Sequence, residues 1–179
     1  MKVTILAVCL LISPLSQALD RQHALSAGIG WGTAQPQNEK ADPGDVQIHY
    51  DLAYRYQFTP GWGVELGYMR QDVFLTDIFF SVGNQLKGAD SFRTAALYAL
   101  PLSQSNRLVF KLGANLYDLN FIDTNNKDQK FSQDGLGLFA GLGWRLAFST
   151  GLEMSINYSY QTMDLIDTNT ITANLGYRF

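Results

Sequence analysis

The sequence predicts an all-β protein, an eight-stranded antiparallel transmembrane up-and-down β-barrel, and three observations support this prediction. Apolar and polar residues alternate with a period of two in eight separate segments. The face opposite the apolar one combines glycine with charged side chains, and the connections between segments are short and long in alternation. The length of 179 residues suits a single domain.

The composition excludes several classes of protein. Hydrophobic residues make up 46% and aromatic residues 13% of the chain, too much for a disordered protein. The 13 basic and 16 acidic residues give a net charge of −3, whereas a nucleic-acid binder is usually basic. A single cysteine, Cys9, cannot support a disulfide scaffold. Only 16% of residues are charged, below the roughly 25% of soluble domains.

Residues 1–18 predict a cleaved signal peptide, which leaves residues 19–179 as the barrel domain. Lys2 supplies the positive charge, residues 3–15 are apolar, and Ser16 and Ala18 are the small residues of a cleavage site. A membrane-spanning helix would need about 20 apolar residues, more than this segment offers. Cleavage after Ala18 would leave a chain without cysteine, so disulfides would contribute nothing to its stability.

The alternation that defines the strands is clearest at 46–58, where every second residue from Val46 to Phe58 is apolar or aromatic. The same pattern predicts strands at 23–31, 46–58, 62–71, 91–100, 107–117, 134–146, 152–161 and 170–179. Each of these segments is long enough to supply the ~9–11 residues that a tilted strand needs to cross a bilayer. No segment after the leader has the 18 consecutive apolar residues typical of a membrane-spanning helix.

The connections predict which ends of the strands face which compartment. Three are short, at 59–61, 101–106 and 147–151. Three are long, at 34–45, 72–90 and 118–133, and the connection at 162–169 is intermediate. Outer-membrane barrels have short periplasmic turns and long extracellular loops, so we expect both termini at the periplasmic rim.

A soluble β-sandwich or a lipocalin-like barrel would also show the alternation, with its apolar face inward. Two features favour the membrane barrel: the polar face is rich in glycine, and aromatic residues gather near the strand ends. At the short-turn rim these are Tyr56, Phe58, Trp62, Tyr98, Trp144, Phe148, Tyr177 and Phe179, and at the long-loop rim Trp31, Tyr68 and Phe92.

Several motifs carry a resemblance to a known family. GVELGY at 63–68, LGANLYDL at 112–119, FAGLGWRL at 139–146 and the closing LGYRF resemble the transmembrane domain of OmpA-like proteins. The resemblance covers the whole mature chain and implies the outer membrane of a Gram-negative bacterium. Since the sequence stops at the last strand, we expect no periplasmic domain and an architecture nearer to the small OmpX/Ail-type barrels, as a monomer in lipid and lipopolysaccharide.

The last strand ends in an aromatic residue and looks like the C-terminal signal that the bacterial barrel-assembly machinery reads. The residues of this assembly signal share one face: Ile171, Ala173, Leu175, Tyr177 and Phe179. We therefore expect the assembly machinery to be a partner of the chain.

The short turns also predict ion pairs inside the barrel. A turn centred on Pro60 places Arg55 opposite Glu65, and a turn centred on Ser149 places Arg145 opposite Glu153. Lys111 from the fifth strand is expected to join them. Because an unpaired charge in a narrow interior costs several kcal/mol, the sequence predicts that these pairs plug the lumen near its periplasmic end.

The sequence predicts no catalytic, cofactor-binding or metal site. His49 and Asp51 share the interior face, and we interpret them as members of a hydrated network rather than as a general base with its orienting carboxylate. The His-x-Ser pair of the lipid A deacylase PagL is absent, as is any His/Asp/Ser constellation like that of the palmitoyltransferase PagP. Asp123, Asp128 and Asp134 fit no EF-hand spacing and are expected in a solvated loop.

We therefore expect a structural or surface-interaction role, in adhesion or envelope integrity, through the long extracellular loops. A narrow porin-like ion-conducting pore is the alternative, and a lipid-modifying enzyme comes third. The segment 73–83 is unusually apolar for an outside loop. It would extend the strands or pack on itself, bind a surface partner, or add two strands to make a ten-stranded barrel.

Overall fold

The computed structural model describes residues 22–36, 46–73, 85–122, 130–163 and 166–179. The signal-peptide prediction and most of the segment 73–83 lie outside these residues. The strands are β1 (His23–Pro36), β2 (Val46–Gln57), β3 (Trp62–Val73), β4 (Gln85–Pro101), β5 (Asn106–Ile122), β6 (Lys130–Ala147), β7 (Leu152–Met163) and β8 (Ile166–Arg178).

The eight strands form a closed barrel in which each strand pairs antiparallel with its neighbours in sequence. The barrel closes where β1 pairs with β8, from Ala24 opposite Arg178 to Pro36 opposite Ile166. β3 pairs directly with β4, so the described part of the chain closes as eight strands and not ten. Closure leaves no strand edge unpaired around the barrel, which is what a sheet in lipid requires. None of the described residues forms a helix that is long and apolar enough to span a membrane.

The outward face is apolar over a band that matches the bilayer. Large hydrophobic side chains such as Leu112, Leu136 and Leu138 are about two-thirds exposed, and they point away from the barrel interior. Leu136 and Leu146 on β6 are ten residue steps apart, which is about 25 Å along the membrane normal at a strand tilt of ~40°. The band thus has the height of the apolar belt of outer-membrane barrels.

Three strands continue beyond this band on the side of the long connections. Phe92, Leu116 and Leu136 lie side by side on β4, β5 and β6 at the upper edge of the band. Two residues further along, the outward positions are Asp90, Asp118 and Asp134, again directly opposite one another. β4, β5 and β6 have 17, 17 and 18 residues, against 12 in β2, β3 and β7.

This extension corrects the expected loop lengths. β4 begins at Gln85 rather than 91, β5 continues to Ile122, and β6 begins at Lys130 rather than 134. The hydrophobic alternation reports where a strand meets lipid, and it ends at the membrane edge. Backbone pairing goes on into the water beyond that edge, where no apolar face is needed.

The register prediction is confirmed for one hairpin and wrong for another. Arg55 lies opposite Glu65, as the turn at Pro60 predicts. Arg145, however, lies opposite Ser155, and Glu153 lies opposite Ala147. The reason is Gly151, which has a φ of 100° and donates its N–H to the Phe148 carbonyl at 3.1 Å. A turn followed by a left-handed glycine adds a residue to the loop and shifts the register by two.

Candidate functional site: the barrel interior

The middle of the barrel holds a compact set of four charged side chains, which we call the central ion-pair group: Asp51, Glu65, Arg93 and Lys111. Arg93 binds Asp51 through two N–H groups, at 2.5 and 3.1 Å. The same guanidinium contacts Glu65 Oε1 at 3.1 Å, and Lys111 Nζ lies 2.8 Å from Glu65 Oε2. Two cations and two carboxylates therefore neutralise each other, and their side chains are all less than 10% exposed. The Arg93 guanidinium also lies over the Phe139 ring, 5.2 Å from its centroid, a cation–π distance.

A second set lies nearer the short turns, and we call it the periplasmic ion-pair group: Arg55, Glu153 and Arg178. Arg55 Nη2 donates to Glu153 Oε2 at 2.5 Å, and Arg178 Nε lies 2.9 Å from Glu153 Oε1. Arg55 and Glu153 come from β2 and β7, so this pair crosses the lumen rather than joining neighbouring strands. Side-chain exposure is 8% for both of these residues and 21% for Arg178.

The interior thus contains all five residues of the predicted network, but in different pairs. Arg55 faces Glu65 in the register yet binds Glu153 across the barrel. Glu65 instead binds Lys111 and Arg93. The predicted pair of Arg145 with Glu153 is wrong, because the shifted register separates them by two positions on neighbouring strands.

Arg145 lines the same cavity as Glu65 and Glu153 but forms no ion pair with either of them. It is 4% exposed, and its Nη1 has no hydrogen-bond partner. Among the described residues no carboxylate lies within ion-pair distance of it.

Arg93 and Asp51 belong to the centre of the network, although the turn geometry did not predict their pairing. The alternation places both residues on the interior face, and this is the feature of the sequence that indicates where they lie. Their strands β2 and β4 are separated by β3, and the connection from β3 to β4 is long. The register between two strands can be counted across a short turn but not across a long connection. The sequence therefore does not predict which residues Arg93 pairs with.

Apolar side chains close the lumen on either side of the charges. Toward the β4–β5 turn, Leu97, Ala99 and Val109 form one buried cluster. Toward the opposite rim a second cluster consists of Ala89, Tyr117, Leu119, Met163 and Ile166. Two interior cavities next to the charges have volumes of about 10 and about 20 Å³, each enough for roughly one water molecule.

His49 and Asp51 do not form the hydrogen bond that a general base and its orienting carboxylate would need. Both ring nitrogens of His49 are buried without a hydrogen-bond partner, and the Asp51 carboxylate is bound by Arg93. A general base needs a neighbour that orients it. Asp51, two residues along the strand from His49, accepts its hydrogen bonds from Arg93 instead. The described residues contain no cluster of three metal-ligating side chains. Asp134 faces outward, while Asp123 and Asp128 lie outside the described residues.

The residues of the expected assembly signal form the lipid-facing side of the last strand. Leu175, Tyr177 and Phe179 are each about half exposed, whereas the alternate residues Thr172, Asn174 and Gly176 are buried. Phe179 stacks on His23 with ring centroids 5.9 Å apart, and the two residues exchange backbone hydrogen bonds of 3.2 and 2.9 Å. The final aromatic residue therefore sits at the seam that closes the barrel.

Replacing Phe179 with Ala is expected to reduce the amount of folded protein in the outer membrane several-fold, because it removes the terminal aromatic residue of the signal. The stability of barrels that do fold should change little, since the side chain is half exposed. Heat-modifiable gel mobility of membrane fractions measures the folded amount. Phe148→Ala is the matched control, an exposed aromatic residue at the same rim but outside β8. Equal loss in both variants would contradict a signal specific to the last strand.

Comparison with known proteins agrees with this architecture. Residues 4–179 match the family model described as outer membrane protein beta-barrel domain. No curated protein matches the sequence. Among solved structures, Ail, the attachment invasion locus protein of Yersinia pestis, is 21% identical with a TM-score of 0.63. The alignment covers 88% of this chain and 97% of Ail.

Two further structures share the fold. Neisserial surface protein A is 11% identical with a TM-score of 0.72, over 88% of this chain and 97% of that one. The outer membrane protein OprG from Pseudomonas aeruginosa is 18% identical with a TM-score of 0.58, over 87% and 95%. Identities this low establish the fold alone. The match of the family model over nearly the whole sequence goes further: this chain belongs to the outer membrane protein β-barrel domain family, the small barrels of the Gram-negative outer membrane.

Proposed function

We propose that this protein is a non-conducting barrel that displays an interaction surface on the outside of the cell, in adhesion or envelope integrity. The observation that carries the proposal is the filled lumen. Two ion-pair groups stand between two apolar clusters, and the cavities beside them hold about one water molecule each. A hydrated ion needs a continuous aqueous path, and among the described residues the ion pairs and the apolar clusters occupy the space that such a path would take. The function then belongs to the outer surface.

The extended strands supply such a surface. β5 continues for five residues from Asp118 to Ile122, beyond the upper edge of the apolar band. At ~3.3 Å per residue and a tilt of ~40°, this raises the paired strands β4, β5 and β6 about 13 Å above the membrane. Because the three strands remain hydrogen-bonded to one another there, they form a rigid wall rather than a set of separate loops.

The extracellular side is acidic, which favours a cationic partner. The connections at 37–45, 74–84, 123–129 and 164–165 contain seven acidic and two basic residues. Asp90, Asp118 and Asp134 add a row of carboxylates at the base of the wall. Ail has been crystallised with the heparin analogue sucrose octasulfate, which is a polyanion. The charge on this chain would repel such a ligand, so we infer a different class of partner.

Cysteine labelling of intact cells tests whether the acidic side faces outward. The mature chain would contain no cysteine after cleavage of the leader, so each reporter would be the only thiol. Gln37→Cys and Asn125→Cys should react with a membrane-impermeant maleimide. Thr59→Cys and Ser103→Cys, in the short turns, should react only after the cells are lysed. The opposite labelling pattern would place the acidic side in the periplasm and contradict a role at the cell surface.

A further inference from the structure

The outward surface of the barrel carries a groove beside the seam between β1 and β8. Its volume is about 280 Å³, against about 10 and about 20 Å³ for the two cavities beside the ion pairs. Ser26 and Gly176, a directly opposite pair of interior positions, form its floor. The outward side chains around it are Leu25, Ala27, Leu52, Leu152, Leu175 and Tyr177. The walls of the groove are therefore apolar apart from the tyrosine hydroxyl group.

A small residue between two large ones creates this groove. Ala27 lies directly opposite Leu52 on β2 and directly opposite Leu175 on β8. Cβ atoms in such pairs are ~4.5–5.5 Å apart, so the two leucine side chains stand on either side of a single methyl group. Leu52 and Leu175 are 48% and 56% exposed. The groove between them therefore opens toward the membrane and not into the lumen.

The groove lies at the depth of the leaflet next to the short turns. Leu152 is the first residue of β7 after the turn at 147–151, and it lies opposite Tyr177. Ala27 and His23 face outward on β1, four residue steps apart, which is about 10 Å along the membrane normal at a strand tilt of ~40°. A lipid whose headgroup lies beside His23 would therefore have the first part of its acyl chains level with the groove.

His23 offers a polar contact at the rim below the groove. Its Nδ1 lies 2.7 Å from the Tyr54 hydroxyl oxygen, and its ring centroid is 5.0 Å from that of Tyr56 and 5.9 Å from that of Phe179. These contacts hold the imidazole at the level of the aromatic belt, where lipid headgroups lie. When the Tyr54 hydroxyl donates to Nδ1, the ring proton is on Nε2, which can donate to a phosphate oxygen.

We propose that the groove binds an acyl chain of one glycerophospholipid, whose phosphate group accepts a hydrogen bond from His23 Nε2. The occupant is a lipid because the outward face is immersed in the bilayer, where acyl chains fill an apolar groove. It is a phospholipid rather than lipid A because the groove is on the side of the short turns. This last step rests on the orientation in the proposed function, with the short turns in the periplasm and a phospholipid leaflet beside them. A second copy of the chain is the competing occupant.

Native mass spectrometry of the barrel released from detergent micelles tests the proposal, with phosphatidylglycerol as the probe. The parent should retain one phospholipid per barrel after all others have dissociated. Ala27→Leu should weaken this binding about tenfold, because it excludes about two methylene groups from the groove. Ala114→Leu, the same change at an outward position of β5, should bind as the parent does. Heat-modifiable gel mobility verifies that each variant is folded.

His23→Phe separates the headgroup contact from the acyl-chain contact. It keeps an aromatic ring beside Phe179 but lacks the donor, so it should bind phosphatidylglycerol several-fold more weakly. Diacylglycerol, which has no phosphate, should bind this variant as tightly as it binds the parent.

Four results would overturn the proposal. Ala27→Leu and Ala114→Leu could bind phosphatidylglycerol equally, or His23→Phe could bind it as the parent does. Lipid A could bind as tightly as phosphatidylglycerol, or the parent could leave the micelle as a dimer without bound lipid. None of these results changes the outcome of the cysteine labelling, which tests the orientation separately.

Discussion

Replacing Arg93 with Gln is expected to lower the free energy of unfolding by about 3–5 kcal/mol, the cost of breaking a buried ion pair by removing one partner. Arg93 is the one residue that joins both carboxylates of the central group, at 2.5 Å to Asp51 and 3.1 Å to Glu65. Without it, Glu65 still has Lys111, whereas Asp51 has lost the partner of both its hydrogen bonds. Urea unfolding from lipid vesicles measures the loss.

The rescue variant separates this cause from a general loss of packing. Asp51→Asn added to Arg93→Gln removes the unpaired charge, so the double variant should be more stable than Arg93→Gln alone. Asp134→Asn, a carboxylate-to-amide change at an exposed outward position, should stay within about 0.5 kcal/mol of the parent. A loss below about 1 kcal/mol for Arg93→Gln would show that water, and not Arg93, solvates the two carboxylates.

Glu153→Gln should cost about as much as the loss of Arg93, roughly 3–5 kcal/mol, because it removes the single carboxylate of the periplasmic group. Arg55 would then have lost the carboxylate that it binds at 2.5 Å, and Arg178 the carboxylate that its Nε contacts at 2.9 Å. Arg55→Gln should cost less, since Glu153 keeps Arg178 at 2.9 Å. Unfolding of the two single variants and the double variant closes a double-mutant cycle.

The cycle should return a coupling energy between Arg55 and Glu153 of about 1–3 kcal/mol, as expected for residues in direct contact. Arg55 and Glu65 are a suitable comparison, because they are opposite in the register but bind other partners. Their coupling should be smaller. A larger coupling for Arg55 with Glu65 than with Glu153 would mean that neighbouring strands, and not the two sides of the lumen, are tied together.

The fold was predictable because one physical signal runs through the whole chain. A strand in lipid shows a period of two, and the eight alternating segments correspond to the eight strands. The signal ended where lipid ended, so the upper parts of β4, β5 and β6 were predicted as loops. In water above the membrane, backbone hydrogen bonds to a neighbouring strand are enough to continue the ladder, and they leave no pattern of apolar residues.

The candidate site was only partly predictable, for reasons that two residues illustrate. Gly151 adopts a left-handed backbone conformation, and this local choice moved Glu153 by two positions relative to Arg145. Arg93 was placed on the interior face by its sequence position, but its partners come from β2 and β3 across a long connection. Long arginine and glutamate side chains also reach across a narrow barrel, so a register between neighbours does not determine which charges meet.

Single-channel recording in planar bilayers tests the central claim, that the ion pairs and apolar clusters close the lumen. The parent protein should show no steps or only brief, small ones, because each of the two cavities beside the ion pairs has room for only about one water molecule. The double variant Glu65→Gln with Glu153→Gln, which removes a carboxylate from each ion-pair group, should conduct more often and with larger steps. A steady, large current through the parent would contradict the closed lumen and favour a pore.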